Sequence, residues 1–183
     1  SFDEGRQKQV VTLVRTLFLK RFESSAKAFE GSCWRLLQKL LAWVTVHSLT
    51  DHDLRRLERW KVKHGGLIDY PQSHNLDLWP EGADEDQVEE FLTEDHLAAV
   101  ERLDPELYHI DRILDDTYDD LDQLAEFLKL LGETKPEKDD KLKALIKLLK
   151  SDPVLKKEKL ILFTEFADTA RYLYEQIAPW AKH

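Results

Sequence analysis

From Gln7 to about His47 the apolar residues return at steps of three and four. Val10, Val14, Leu17, Phe18 and Phe22 lead on to Ala26, Phe29, Cys33, Leu36, Leu37, Leu40 and Val44. That spacing places them on one stripe of a helix, and no proline interrupts it. The pattern predicts one very long helix or two consecutive ones, hinged at Ser24-Ser25 or at Gly31, where a helical glycine costs about 1 kcal/mol relative to alanine. Thr50 or Asp51 can cap a third helix reaching about Lys63, which Gly65-Gly66 should end. Residues 67–83, with Pro71, Pro80 and Gly82, read as a loop, and Asp84 to about Leu103 as a helix with acids in its first turn. Asp104-Pro105 is a start signal, an acidic cap followed by proline at the first helical position. Leu107, Ile110, Leu114, Tyr118, Leu121, Leu124, Leu128 and Leu131 then repeat at three and four as far as Gly132, a helix of about 40 Å at roughly 1.5 Å per residue.

Beyond a polar linker at Glu133–Lys138 the pattern changes. Asp139 to Lys150 is a lysine-rich amphipathic helix, broken by Ser151-Asp152-Pro153. Leu160-Ile161-Leu162-Phe163, behind Lys159, is a short apolar run bounded by turn signals and followed by a second helix from Asp168 to about Ala178. Such a run reads as a buried parallel strand. The expected fold is therefore mainly α: an elongated helical bundle over residues 1–135, its two long helices packed antiparallel, then a short α/β (βα) piece over residues 139–183. A parallel strand needs neighbours on both sides to pair its backbone, and only about twenty residues follow this one. The reading thus expects an excised piece of a larger protein, with Ser1 at its start. It expects the run at residues 159–163 to be disordered, shielded by helices or paired with a second copy of the chain.

Charge refines this picture. The net charge of -9 is uneven. Residues 1–63 carry 13 Lys and Arg against 7 Asp and Glu, whereas His64 to Glu101 has eleven acids and no Lys or Arg. Residues 102–183 carry 14 against 18. The acidity is thus mostly one segment, and a basic N-terminal part keeps a nucleic-acid partner open. The single cysteine, Cys33, permits no internal disulfide, so a reducing, cytoplasmic setting is the default. Nothing in the sequence reads as a signal peptide or a membrane span.

Self-sufficient chemistry is missing from the pattern. Gly65-Gly66 lacks the further glycines and the Gly-Lys-Ser/Thr of a phosphate loop. His47 and His52, with Asp51 and Asp53, come nearest to a metal set, but a capped helix start with solvated side chains explains them. Cys33 lies on the apolar stripe, as a buried inert thiol does. Asp115-Asp116 and Asp119-Asp120 can chelate a cation or simply form a solvated helix face.

Two segments carry a resemblance. Arg15-Thr16-Leu17-Phe18-Leu19-Lys20-Arg21-Phe22-Glu23-Ser24-Ser25, followed by Ala28-Phe29, resembles the stretch that follows the first RecA-like domain in bacterial Swi/Snf-like ATPases of helicase superfamily two. Asp140-Lys141-Leu142 with its helix, then Lys159 to Phe166 and Asp168-Thr169-Ala170-Arg171-Tyr172-Leu173, resembles the entry to the second RecA-like domain, including motif IV. Residues 48–135 match only as a helical, acidic insertion. The resemblance implies an interlobe segment of an ATP-dependent DNA helicase or translocase, whose ATP and Mg lie with the phosphate loop, acidic box and arginine finger that this sequence lacks. It makes Thr164 a candidate contact to the nucleic-acid backbone. Lys20 and Arg21 can join it as phosphate ligands, or can pair with Glu23 or neighbouring acids. Ser24 and Ser25, polar in a helix middle, suit close helix packing. The rival reading is a stand-alone helical interaction module, its acidic stretch from Asp77 to Asp95 mimicking nucleic acid or binding a basic partner.

Overall fold

Ser25 divides the N-terminal periodicity into two helices, α1 (Phe2–Ser24) and α2 (Ala26–His47). Its hydroxyl oxygen accepts from the Ala28 amide at 3.0 Å, the bond an N-cap makes to the third residue of its helix. The backbone ladder continues through it, Ser25 N–H to Arg21 C=O and Phe29 N–H to Ser25 C=O, each at 3.1 Å. Gly31 lies within α2 and does not break it. These helices belong to a computed structural model that describes residues 2–68 and 94–181. The expected loop from residue 69 on, the start of the helix expected at Asp84, and nearly all of the Asp77–Asp95 stretch lie outside the described residues.

The remaining helices are α3 (Asp51–Lys63), α4 (Gly65–Ile68), α5 (Glu94–Ala99), α6 (Ile110–Gly132), α7 (Asp140–Ser151) and α8 (Ala167–Ala181). The protein is mainly helical, and among the described residues there is no strand. Thr50 starts α3 with a capping box, its hydroxyl accepting from the Asp53 amide while the Asp53 carboxylate accepts from the Thr50 amide. The hydrogen bond from the Thr50 side chain is the main cause holding the Asp53 carboxyl below its usual value. α3 stops at His64 rather than at the glycines, and Gly65-Gly66 instead open the single turn of α4.

Asp104-Pro105 does not start the long helix. The Asp104 carboxylate accepts from the Glu106 amide at 2.9 Å, and its carbonyl accepts from the Leu107 and Tyr108 amides at 3.0 Å. That closes a local turn, the competing arrangement open to a short acidic side chain. α6 starts only at Ile110, and its 23 residues run to Gly132, about 35 Å. Leu107 is left exposed.

The chain forms two compact units: Ser1–Ser32 with Leu130–His183, and Cys33–Lys129. In the second unit Cys33, Leu37, Leu41 and Val44 of α2 are fully buried, with Leu57 and Trp60 of α3 and Leu114, Tyr118, Leu121, Ala125 and Leu128 of α6. Polar ends of this core find partners. Trp34 Nε1 donates to the Leu67 carbonyl at 3.0 Å, and Trp60 Nε1 to Asp122 at 3.0 Å.

In the first unit the expected apolar stripe is only partly used. Val14, Leu17 and Phe22 of α1 remain exposed, and the contact that orders this face is aromatic: Phe18 and Phe22 meet Phe29 edge-on at 6.0 and 5.2 Å. The run expected as a strand belongs to no regular element. Its exposure alternates all the same, 44% at Leu160, 74% at Ile161, 45% at Leu162 and 92% at Phe163. A strand ladder requires a neighbouring backbone, and none of the described residues supplies one.

Candidate functional site

The two ends of the sequence that carry the resemblance meet in the first unit. The C-terminal turn of α1 presents Lys20, Arg21 and Ser24, and Ser25 begins α2. Opposite them stand the turn at residues 164–166 and the first turn of α8. Arg21 Nη1 donates to Asp168 Oδ2 at 3.4 Å, and both side chains are under one-fifth exposed. The Arg21 guanidinium also lies over the ring of Phe166, 4.7 Å from its centroid. Arg171, one turn along α8, holds the other oxygen of Asp168 at 3.9 Å. Asp168 sits in the first turn of its helix, where the dipole favours an acid.

Behind the ion pair lies a row of hydroxyls. Thr169 Oγ1 is 2.8 Å from Ser24 Oγ and 2.9 Å from Ser25 Oγ. Because Ser25 Oγ already accepts from Ala28 N–H, its own hydrogen is free to go to Thr169, whose hydrogen can go on to Ser24. Both Ser25 and Thr169 are buried, so this chain satisfies groups that would otherwise be costly to desolvate. Lys141 Nζ closes the end of α1 by donating to the carbonyls of Glu23 at 2.5 Å and Ser24 at 3.2 Å. Asp139 caps α7 through the Leu142 amide at 2.9 Å, and its other oxygen accepts from Tyr172 Oη at 2.9 Å. Burial and the adjacent Asp139 carboxylate push the Tyr172 hydroxyl well above the ordinary tyrosine range.

Each residue singled out in the sequence now has a place. Arg21 is committed to Asp168 and Phe166. Lys20 makes a loose pair with Glu165 at 3.7 Å, and both side chains are more than half exposed. Such a pair is weak and exchanges readily for another anion. Thr164 is half-buried in the turn next to Glu165. Asp168, Thr169, Tyr172 and Lys141 stood in the second resembling segment without a role of their own. Asp139 alone carried a usable signal, a short acid before an amphipathic stretch.

The second unit holds a different cluster. Asp122 Oδ1 accepts from Trp60 Nε1, from Lys63 Nζ at 3.4 Å and interacts with His64 Nε2 at 3.2 Å. It lines an open cleft of about 600 Å³ with Lys63, Leu67, Glu126 and Lys129. His47 is unsuited to metal binding: Nδ1 lies 2.9 Å from the Trp43 carbonyl and Nε2 accepts from the Leu103 amide at 3.1 Å. Those partners require the Nδ1–H tautomer and occupy both nitrogens. Cys33 is buried, and Asp115 pairs with Arg56. Among the described residues no group of three or more His, Cys, Asp or Glu is placed to hold a metal ion, and no helix is long and apolar enough to cross a membrane. The junction holds its segments against one another through an ion pair and a row of hydroxyl hydrogen bonds. No family model, no curated protein and no solved structure matches this chain.

Proposed function

We propose that the chain is the interlobe region of a Swi/Snf-like DNA helicase or translocase of superfamily two. It would run from the exit of the first RecA-like lobe, through a helical insertion, to the start of the second. The observation that carries this reading is the junction itself. Two segments that separately resemble the ends of such an insertion hold each other through the Arg21–Asp168 pair, 147 positions apart, and through the Ser24–Thr169–Ser25 hydroxyls. A motor that closes two lobes around ATP needs a defined connection between the helix leaving one lobe and the chain entering the next. A partly buried ion pair backed by a hydroxyl row and a capped helix end supplies that definition.

In this reading Leu160–Phe163 is the first strand of the second lobe, its neighbours supplied by the parent protein, and Thr164 behind it touches a backbone phosphate. Lys20 can leave Glu165 for a phosphate, while Arg21 holds the turn in place. ATP and Mg belong to the parent. The experiment is ATP hydrolysis by the full-length gene product, with and without duplex DNA. DNA-stimulated phosphate release by that product, and none by the 183-residue chain alone, is the expected result. A gene product without DNA-stimulated hydrolysis overturns the motor reading in favour of the acidic helical interaction module.

A further inference from the structure

The junction leaves Arg21 little freedom for phosphate and only Lys20 loosely paired, so a grip on a duplex needs further cations elsewhere. Residues 141–159 hold seven lysines against two acids, in a chain of net charge -9. On α7 those lysines are not scattered. At about 100° per residue, Lys143, Lys147 and Lys150 fall within one narrow sector of the helix, beside the face that turns Leu142, Leu145, Ile146 and Leu149 inward. Lys141 falls on the opposite flank and is taken by the carbonyls of α1.

All three sector lysines are exposed. Lys147 has no ion-pair partner among the described residues, and the Lys143–Asp140 pair at 2.9 Å is solvent-exposed and therefore weak. Lys143 to Lys150 covers about 10 Å along the helix axis, and one strand of a duplex offers a phosphate about every 3.4 Å of its own axis. We propose that Lys143, Lys147 and Lys150 form a stripe that binds the phosphate backbone of duplex nucleic acid without reading its sequence. The proposal rests on the motor reading for its biological setting and adds to it the surface that grips the duplex.

An anionic membrane fits this stripe less well. Helices that lie in a bilayer surface present an exposed apolar face beside their cations. Most of the apolar face of α7 is turned into its own unit, with Leu142 buried and Leu145, Ile146 and Leu149 half-buried. Polyanion binding through lysines as point charges instead depends on counterion release, and so leaves a salt signature.

The test is a titration of a labelled mixed-sequence duplex with the full chain across a salt series, for wild type and for Lys143→Gln/Lys147→Gln/Lys150→Gln. Glutamine keeps helix propensity close to that of lysine, and circular dichroism checks that α7 is intact. The slope of log affinity against log salt should fall by about 0.9 for each lost contact, about 2.7 for the triple variant, so affinity at ~0.1 M salt drops by roughly 500-fold. Lys147→Arg should retain binding. An unchanged slope and affinity in the triple variant overturns the stripe, as does a wild-type chain that binds phosphatidylserine vesicles and not the duplex. The full-length product separates the two proposals. DNA-stimulated hydrolysis untouched by the triple substitution removes the stripe and leaves the motor. Stripe-dependent duplex binding by the chain, with no stimulated hydrolysis in the full-length product, removes the motor and leaves the stripe.

Discussion

Tyr172 donates its hydroxyl hydrogen to the carboxylate that caps α7, and this one bond ties α8 to the start of a separate helix. Tyr172→Phe should cost about 1.5–3 kcal/mol, the range for a hydrogen bond to a charged acceptor. It should also change the response to alkali. The hydroxyl is raised in the fold, so it stays protonated where the unfolded chain has begun to ionise near pH 10. Its contribution is therefore complete below about pH 10 and is lost as pH rises from there towards the folded value, at up to about 1.4 kcal/mol per pH unit. Tyr118 is also raised, chiefly by burial, and adds a slope of the same sign. Urea melts taken on both sides of about pH 10 should show a shallower alkaline decline in Tyr172→Phe than in wild type, the residue at 118 supplying what remains. Equal slopes would mean that Tyr172 is not held by Asp139. Little of this was legible in the sequence. Lys20 and Arg21 stood out as cations, and Ser24-Ser25 as polar residues in an apolar stripe, but their partners are remote, and nothing in the local pattern of Arg21 points to Asp168 147 positions away.

The helices themselves were far more legible, because caps and periodicity are local. Thr50, Asp139 and the break at Ser25 each act through a hydrogen bond spanning three residues, a distance that sequence pattern captures. The start of α6 escaped for the same physical reason turned around. Asp104 had two local solutions, capping a helix or closing a turn, and its bond to the Glu106 amide took the second. That choice sets which leucines belong to the core. Leu121 is 0% exposed and Leu114 3%, whereas Leu107 is 76% exposed. Leu114→Ala and Leu121→Ala should each cost about 2–5 kcal/mol by removing buried methyl groups and leaving a cavity. Leu107→Ala should stay within about 0.5 kcal/mol, as an exposed substitution does. Chemical denaturation of the three variants checks this, and a Leu107 loss matching the other two would extend the packed helix back to Asp104.

For the whole molecule the deciding element is the run at residues 159–163, which is strand-like in composition and in its alternating exposure yet pairs with none of the described residues. Helical character is settled within a few residues, but a strand exists only with a partner backbone, and that partner comes from distant sequence. This is why a local pattern that suits a strand did not produce one among the described residues. Phe163 gives a direct handle, because at 92% exposure its side chain touches almost nothing in this chain. Phe163→Asp should therefore leave the stability of the 183-residue chain within about 0.5 kcal/mol in a urea melt. In the full-length gene product the motor reading places the same residue inside a parallel sheet, covered on both faces. There an unpaired carboxylate is expensive to bury, and the same substitution should unfold or inactivate the second lobe, abolishing DNA-stimulated ATP hydrolysis. The contrast between the two settings is what matters. A chain already destabilised by Phe163→Asp would show that the run is packed within its own unit. A full-length product that tolerates the aspartate, with ATPase and melting temperature unchanged, would show that Leu160–Phe163 is not a core strand of a RecA-like lobe.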